Sequence, residues 1–442
     1  MRGGATRRQS DSAGSGAYLS MMSSRESLLY ELQWRGLLYQ QTEGLATHLA
    51  KAPVSAYCGF DPTAPSLHVG NLVPVMLLVH MARAGHQAIA LVGGGTAMIG
   101  DPSGKSDERP LSSRDEIERN AAAIHAQLQR LFAAAETKGV TLRNNADWLL
   151  DVKVIDFMRD VGKHFSINYM LAKDSVQSRL ETGISYTEFS YMLLQAYDFL
   201  RLHRDEGVTV QVGGSDQWGN ITAGMELVRR AVGAEAHVLT APLITTSSGK
   251  KFGKTESGAV WLDRKLTSPY RFYQFWINAE DADVGKYLRM FTFRPRAEIE
   301  ELDRAHAAAP QERAAQKLLA RELTTMLHGK EAAVAAEGVS RVIFDKKTDP
   351  GTIADDIYEM LAAEIPGVRT QKAEELDVLG VLEGAFELSR SAGRKLVQQG
   401  GITVNGEKLA ADAFTVPRAK AVRGRWFLVR KGARDIALAE LA

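Results

Sequence analysis

Two glycine-punctuated segments hold residue types suited to handling a polyphosphate. The stretch Tyr57-Cys58-Gly59-Phe60-Asp61-Pro62-Thr63-Ala64-Pro65-Ser66-Leu67-His68-Val69-Gly70-Asn71 passes from a strand pattern through a proline-shaped loop to an apolar helix starting near Asn71. A helix start offers unpaired backbone N–H groups and a positive dipole end to an anion, and His68 with Gly70 would set a donor beside bare backbone there. Far downstream, Gly249-Lys250-Lys251-Phe252-Gly253-Lys254-Thr255 is a glycine-hinged loop with two lysines three apart and a hydroxyl. Such a loop suits closing over a triphosphate and neutralising the charge that develops as pyrophosphate leaves. Each segment alone reads first as something ordinary, a core histidine beside a helix start or a flexible basic surface loop. Their occurrence in one chain points to nucleotide chemistry.

A third set lies between them. Tyr191, Gln195 and Asp198 are spaced four and three apart, so a helix presents them on one face. Met192, Leu193 and Leu194 around them indicate a helix that is largely buried, and a buried Gln and Asp require partners.

The elements that position these residues follow from patterning. From about Val54 to Leu243, short apolar runs alternate with longer amphipathic stretches, and Ala56–Phe60, Ala88–Val92 and Val208–Val212 are the candidate strands. This alternation predicts α/β units around a mainly parallel sheet, whose ligands sit beyond the carboxyl ends of the strands. The glycines and polar clusters fall there: Gly59 onward, Gly93-Gly94-Gly95, and Gly213-Gly214-Ser215-Asp216. Pro269 to about Val342 reads as helical throughout, and an acidic linker follows, with nine Asp or Glu between Gly351 and Glu387. The terminal module opens with a helix at Ser391–Gln399 stopped by Gly400-Gly401, then a strand and a hairpin turn at Asn405-Gly406.

With 442 residues the chain should form two to four domains. Its net charge of +1 argues for no polyanion or membrane surface by itself, but the charge is uneven. Between Ser389 and Arg434 stand eleven Lys or Arg against Glu407 and Asp412, a formal +9 that leaves the remainder at −8. A short basic module on an acidic body is a frequent footprint of nucleic-acid binding. Cys58 is the only cysteine, which excludes an intrachain disulfide and a thiolate metal cluster and suits a reducing compartment. No apolar run is long enough for a membrane helix. The first 22 residues lack a secretory apolar core and hold Arg2, Arg7 and Arg8 among serines, reading as a disordered extension, with a misassigned start or a transit peptide as alternatives.

The two phosphate-suited segments together resemble the paired signatures of the class I aminoacyl-tRNA synthetases. His68-Val69-Gly70-Asn71 stands for His-Ile-Gly-His, and Lys251-Phe252-Gly253-Lys254-Thr255 for Lys-Met-Ser-Lys-Ser. Gly100-Asp101-Pro102-Ser103-Gly104-Lys105, Tyr191 to Phe199 and Gly213-Gly214-Ser215-Asp216-Gln217-Trp218-Gly219-Asn220 resemble the bacterial tyrosine branch in particular. Asn71 departs from the pattern, since an amide donates a hydrogen bond but carries no charge. The resemblance implies an α/β fold: a Rossmann-like parallel-sheet catalytic domain over 23–265, a helical domain over 266–345, a linker over 346–378 and a small α+β RNA-binding domain over 379–442.

It also implies roles. Thr63, His68 and Asn71, with Lys105 and Arg109 on one loop and Lys251, Lys254 and Thr255 on another, would act at the ATP phosphates. Cys58, Gly59, Asp61, His68, Gly70, Asn71, Gly214, Asp216 and Lys254 would bind ATP, although Cys58 reads equally as a small buried hydrophobe. Tyr191, Gln195 and Asp101 would hold the ammonium of L-tyrosine, Asp198 and Tyr57 its phenolic hydroxyl, and Gln217 would lie near its carboxyl group. Arg390, Arg394 and Lys395 would contact phosphates of tRNA(Tyr). Mg²⁺ is expected with ATP and no dedicated metal site is evident. The resemblance further implies a cytoplasmic homodimer with no membrane association. The tryptophan branch shares the fold, but an indole has no hydroxyl for Asp198 and Tyr57.

Overall fold

The computed structural model describes residues 24–103, 112–177, 179–180, 183–249, 252–255, 258–345, 348–370, 374–432 and 435–441. The chain divides into two compact units, the first built from 1–266 with 279–315 and the second from 267–278 with 316–442.

The first unit is organised by a six-stranded sheet of β1 (Gln40–Gln41), β2 (Ser55–Phe60), β3 (Gln87–Val92), β4 (Val140–Asn144), β5 (Val208–Gly214) and β6 (His237–Ala241). Their order is β1-β6-β5-β2-β3-β4, parallel throughout except for the antiparallel edge strand β1. The chain proceeds from β2 outward to β3 and β4, then returns to the other side of β2 to lay down β5 and β6. The reversal falls between β2 and β5, and at such a point the loops leaving adjacent strands diverge and open a crevice. The three sequence-predicted strands are β2, β3 and β5, each extended by one or two residues.

Helices α1 (Leu72–Arg83), α2 (Arg114–Ala134), α3 (Tyr186–Glu206) and α4 (Trp218–Val232) cover the sheet. In α1 nine of twelve residues are buried, as expected of a helix packed on parallel strands. Helix α3 packs against α4 and β5, and Tyr57, Ile89, Met192, Ala196, Phe199, Ala223 and Leu227 share one core. Ser185 caps α3, its hydroxyl accepting from the Glu188 N–H. The helical stretch after Pro269 is divided between the units: the helices Asp281–Phe291 and Arg296–Ala308 belong to the first.

The second unit contains the helices Pro269–Ile277, Lys330–Phe344 and Asp355–Glu364, followed by an α+β module. With β7 and β8 forming a two-stranded hairpin in the first unit (Lys254–Thr255 and Gly258–Ala259), the module strands are β9 (Gly367–Thr370), β10 (Glu375–Asp377), β11 (Ile402–Val404), β12 (Glu407–Lys408), β13 (Thr415–Pro417), β14 (Trp426–Lys431) and β15 (Asp435–Leu441). Five of them form a sheet in the order β12-β11-β14-β15-β9, and β10 pairs with β13. The predicted helix spans Arg390–Gln398, capped by Ser389, and the Asn405-Gly406 turn joins β11 to β12 with both residues at positive φ.

Candidate active site

The carboxyl ends of β2, β3, β4 and β5 bring the candidate residues together. Tyr57 lies within β2, paired with Ile89 of β3 and Gln211 of β5, and is 1% exposed. Its ring packs edge-on to Phe199 at 5.3 Å, and its buried hydroxyl has no hydrogen-bond partner among the described residues. Burial and the nearby Asp198 push the Tyr57 phenol well above its ordinary range, so it stays protonated.

Asp198, 2% exposed on α3, is held from behind. Trp148 Nε1 donates to its Oδ1 at 2.8 Å and Asn145 Nδ2 to its Oδ2 at 2.9 Å. Burial raises the carboxyl to about 7 despite these two donors. The same Asn145 amide donates to Thr96 Oγ1 at 3.0 Å, and its carbonyl accepts from the Gly95 N–H at 2.7 Å. Thr96 in turn donates to Asp61 Oδ1 at 2.9 Å, and the Tyr191 hydroxyl donates to Asp61 Oδ2 at 2.8 Å. Gly93 is required at this junction, because a Cβ there would stand 2.0 Å from Asp61 Oδ1.

A second branch begins at Asp101. Its carboxylate accepts from Gln217 Nε2 at 2.7 Å, from the Ser103 N–H at 2.9 Å and from Asn220 Nδ2 at 3.3 Å. Gln195 donates to Gln217 at 3.4 Å, while its own buried carbonyl oxygen is without a partner among the described residues. Asp198 and Asp61 thus join one hydrogen-bonded chain with Tyr191, and Asp101 a second one with Gln217 and Gln195, and no Lys or Arg takes part in these bonds. The arrangement suits a ligand that brings a cation and a hydroxyl.

The segment after β2 carries the phosphate-suited residues. His68 precedes a short 3₁₀ turn at Val69–Asn71; its Nδ1 accepts from the Gly70 N–H at 3.0 Å, and Asn71 Oδ1 accepts from the His68 N–H at 3.0 Å. Accepting at Nδ1 sets the neutral ring with its proton on Nε2, as a donor. Asn71 caps the turn with its carbonyl oxygen and retains its amide protons for a ligand. Thr63, Gly59 and His68 are exposed, and Asp61 and Gly70 half-buried.

Lys254 and Thr255 form β7, and the return strand carries the chain back beside His68. Val69 N–H donates to Val260 O at 3.0 Å, Leu262 N–H to Leu67 O at 2.8 Å, and Val260 N–H to Gly253 O at 2.9 Å. The two signature segments therefore lie side by side. Gly253 sits at φ 76° with Val69 Cγ2 only 2.6 Å from where a Cβ would stand, so the glycine that departs from the class pattern is a packing requirement. Phe252 stacks on Phe291 at 5.7 Å and lies 5.1 Å from Tyr287, which anchors the segment to the Asp281–Phe291 helix. Lys105, Arg109 and Lys251 lie outside the described residues. Cys58 is buried, its thiol pushed up to about 12 by burial, so it stays protonated and is a weak S–H donor rather than a nucleophile. Gly214 ends β5 and Asp216 follows it, exposed.

In the second unit, Arg390, Arg394 and Lys395 are exposed on one helix. Arg390 is engaged by Asp377 at 3.0 Å and Glu383 at 3.8 Å, whereas Arg394 lies over the Phe414 ring at 4.8 Å. Other cations of the module are also paired: Lys420 with Glu407, Arg423 with Asp355, Arg425 with Glu359 and Glu440, and Lys431 with Asp435.

Sequence reasoning missed Asn145, Trp148, Thr96 and Asn220. The Asn144-Asn145 pair at the carboxyl end of β4 faces the crevice, but it could serve as a signal only once that strand was known. Among the described residues no group of three or more His, Cys, Asp or Glu is arranged to hold a metal ion, and no helix is long and apolar enough to cross a membrane.

A family model described as tRNA synthetases class I (W and Y) matches residues 49–345, and one described as the tyrosine–tRNA ligase SYY-like C-terminal domain matches residues 356–439. A tyrosine–tRNA ligase from Roseiflexus castenholzii is 49% identical over 423 residues, 94% of this chain and 99% of the relative. One from Geobacillus stearothermophilus is 48% identical over 426 residues, 94% of this chain and 100% of the relative. The solved structure of a C-terminally truncated mitochondrial tyrosyl-tRNA synthetase from Aspergillus nidulans has a TM-score of 0.67 at 32% identity, covering 76% of this chain and 100% of that one. With near-half identity along almost its whole length and a crevice built at the sheet's reversal point, the chain belongs to the tyrosine–tRNA ligases of the class I tRNA synthetase family.

Proposed function

We propose that this chain activates L-tyrosine with ATP, releasing pyrophosphate, and transfers the tyrosyl group to the 3′ end of tRNA(Tyr). The observation that carries this reading is Asp198, buried in an acidic network with two donors behind it and the unpartnered Tyr57 hydroxyl as its neighbour in charge. A phenol entering there donates to Asp198 and accepts from Tyr57. Phenylalanine leaves both groups unsatisfied, at the cost of burying unpaired polar atoms. The substrate ammonium meets Asp101, Tyr191 and Gln195, whose carbonyl oxygen awaits a donor. Gln217 lies beside Asp101, close to the carboxyl group.

The attacking carboxylate is already ionised, so no general base is needed. Rate then comes from alignment and from donors directed at the α-phosphate and departing pyrophosphate. Thr63, the Nε2–H of His68 and the Asn71 amide serve this end, joined by Lys105, Arg109, Lys251, Lys254 and Thr255. Gly59, Asp61, Gly70, Gly214 and Asp216 line the adenosine side, and Mg²⁺ enters with the ATP as part of the substrate. Arg390, Arg394 and Lys395 contact tRNA phosphates, with Arg394 and Lys395 the stronger candidates because Arg390 is already ion-paired.

The active form is a cytoplasmic homodimer. The span 154–186 supports this: Val154 is 71% exposed, Ile155 76%, Ile167 61% and Tyr186 68%, and the helix Val154–Asp160 buries none of its residues. Exposed apolar surface of this kind is what a second copy covers. Ile155→Glu should shift the sedimentation coefficient toward that of a monomer; an unchanged value would remove this surface from consideration.

The deciding experiment is exchange of labelled pyrophosphate into ATP with tyrosine, phenylalanine and tryptophan in parallel. Exchange with tyrosine alone is the expected result. Exchange with tryptophan, or none at all, would overturn the assignment.

A further inference from the structure

Helix α2 carries two amide side chains that core packing does not explain. Asn120 and Gln127 are 7% and 2% exposed, seven residues apart and hence on one helix face, and both reach the loop that precedes His68. Asn120 Nδ2 donates to Pro62 O at 3.3 Å. Gln127 is engaged at both ends of its amide: its Oε1 accepts from the Leu67 N–H at 2.9 Å and its Nε2 donates to Ser66 Oγ at 3.0 Å. The Ser66 hydroxyl, itself 4% exposed, donates to Leu67 O at 2.7 Å and accepts the Asp263 N–H at 3.1 Å. Asp263 closes the return strand that starts at Gly258 and runs beside Leu67–Val69.

We propose that Gln127 is a positioning residue that, through Ser66, fixes the His68 segment and the return strand of the lysine loop at one spacing. The bonds among Gln127, Ser66 and Leu67 are buried, with the Asp263 N–H partly buried at their edge, so the bracket tolerates one arrangement. Removing the amide leaves the Leu67 N–H buried and unpaired and takes from Ser66 Oγ one of its three partners, and the loop relaxes to recover them at the expense of where His68 stands. None of the bracket atoms belongs to the tyrosine network around Asp198 and Asp101. The inference rests on the reading that the two signature segments act on ATP.

The test compares Gln127→Met, Gln127→Glu, Ser66→Ala, the Gln127→Met/Ser66→Ala double variant and His68→Ala. Pyrophosphate exchange gives kcat and KM for ATP, and equilibrium dialysis with labelled tyrosine alone gives its affinity. Gln127→Met should lower kcat/KM for ATP by about 10- to 100-fold, the penalty of one buried unpaired group, while tyrosine affinity is unchanged. Adding Ser66→Ala should cost little more, since the two side chains act as one unit. Gln127→Glu, which keeps an acceptor for Leu67 N–H, should recover part of the loss. Equal losses in ATP kinetics and tyrosine affinity would mean general damage and overturn the proposal, as would normal ATP kinetics in Gln127→Met beside impaired His68→Ala. An unimpaired His68→Ala would instead overturn the ATP reading of the segment itself.

Discussion

The two ends of the crevice are built on opposite physical plans. Around Asp198 the groups are buried, short and mutually hydrogen-bonded, with Asn145 joining Asp198, Thr96 and the backbone of Gly95 through a single side chain. Around His68 the groups are exposed, and what is buried is the scaffold beneath them: Gln127, Ser66 and the backbone pairing to Val260 and Leu262. A small rigid ligand read by shape and hydroxyl needs the first plan. A flexible, highly charged ligand whose charge moves during reaction suits the second, where donors approach from solvent on a fixed frame.

The sharpest way to break this comparison is Asp198→Asn. Its single carbonyl oxygen stays with the donors of Asn145 or Trp148, and the substrate phenol meets an N–H in place of a charged acceptor, a loss of roughly 3 kcal/mol or about 150-fold in kcat/KM for tyrosine. An effect under tenfold would mean that the buried end does not read the substrate. His68→Ala should lower kcat of exchange by about a hundredfold, as removal of one transition-state donor does, with tyrosine affinity intact. Dependence on tyrosine rather than on ATP would reverse the division between the two ends.

Acidity separates the ends further. Asp198 titrates near 7, and its protonated form needs an acceptor where the substrate phenol needs one too. Tyrosine affinity should therefore be flat above pH 7 and fall about tenfold per unit below it, while weak phenylalanine binding stays level. Without ligand the sign reverses for stability. The folded chain keeps a proton that the unfolded carboxyl releases near 3.8, so this group's contribution to stability is fully present below that pH and is lost as pH rises toward 7. Thermal melts of the wild type and Asp198→Asn across pH 4–8 test this; parallel curves would sink it.

The smallest effect concerns the second unit. Arg394→Ala and Lys395→Ala should each flatten the slope of log affinity for tRNA against log salt by about 0.7–0.9, one phosphate contact apiece. Arg390→Ala should leave the slope nearly unchanged, because Asp377 already holds that guanidinium.

How much of this was legible in the sequence depended on whether the signal was local. Alternating apolar runs revealed β2, β3 and β5, and spacing alone put Tyr191, Gln195 and Asp198 on one face of α3. Strand β4, Val-Thr-Leu-Arg-Asn, was not visible, because no residue of it is fully buried and its pattern is that of a half-wet edge. Strand β9 was equally hidden inside an acidic stretch, since its pairing with β15 lies about 70 residues away in the chain. Asn145 and Gln127 escaped for a related reason: an amide has no periodicity to betray it, and its worth depends on partners 53 and 60 residues distant.

The terminal module looked strongly basic when its residues were counted from Ser389 to Arg434. Taken from 351 to 442, the tally is thirteen Lys or Arg against thirteen Asp or Glu, and the ion pairs from Arg390 to Asp377, Arg423 to Asp355 and Arg425 to Glu359 fold the acidic stretch onto the basic one. Seen from beyond a Debye length, roughly 8 Å at physiological salt, such a body has no net charge with which to draw in a polyanion. Encounter with RNA is then governed by diffusion and geometry rather than by electrostatic steering, and the association rate should respond weakly to salt even where the dissociation rate responds strongly.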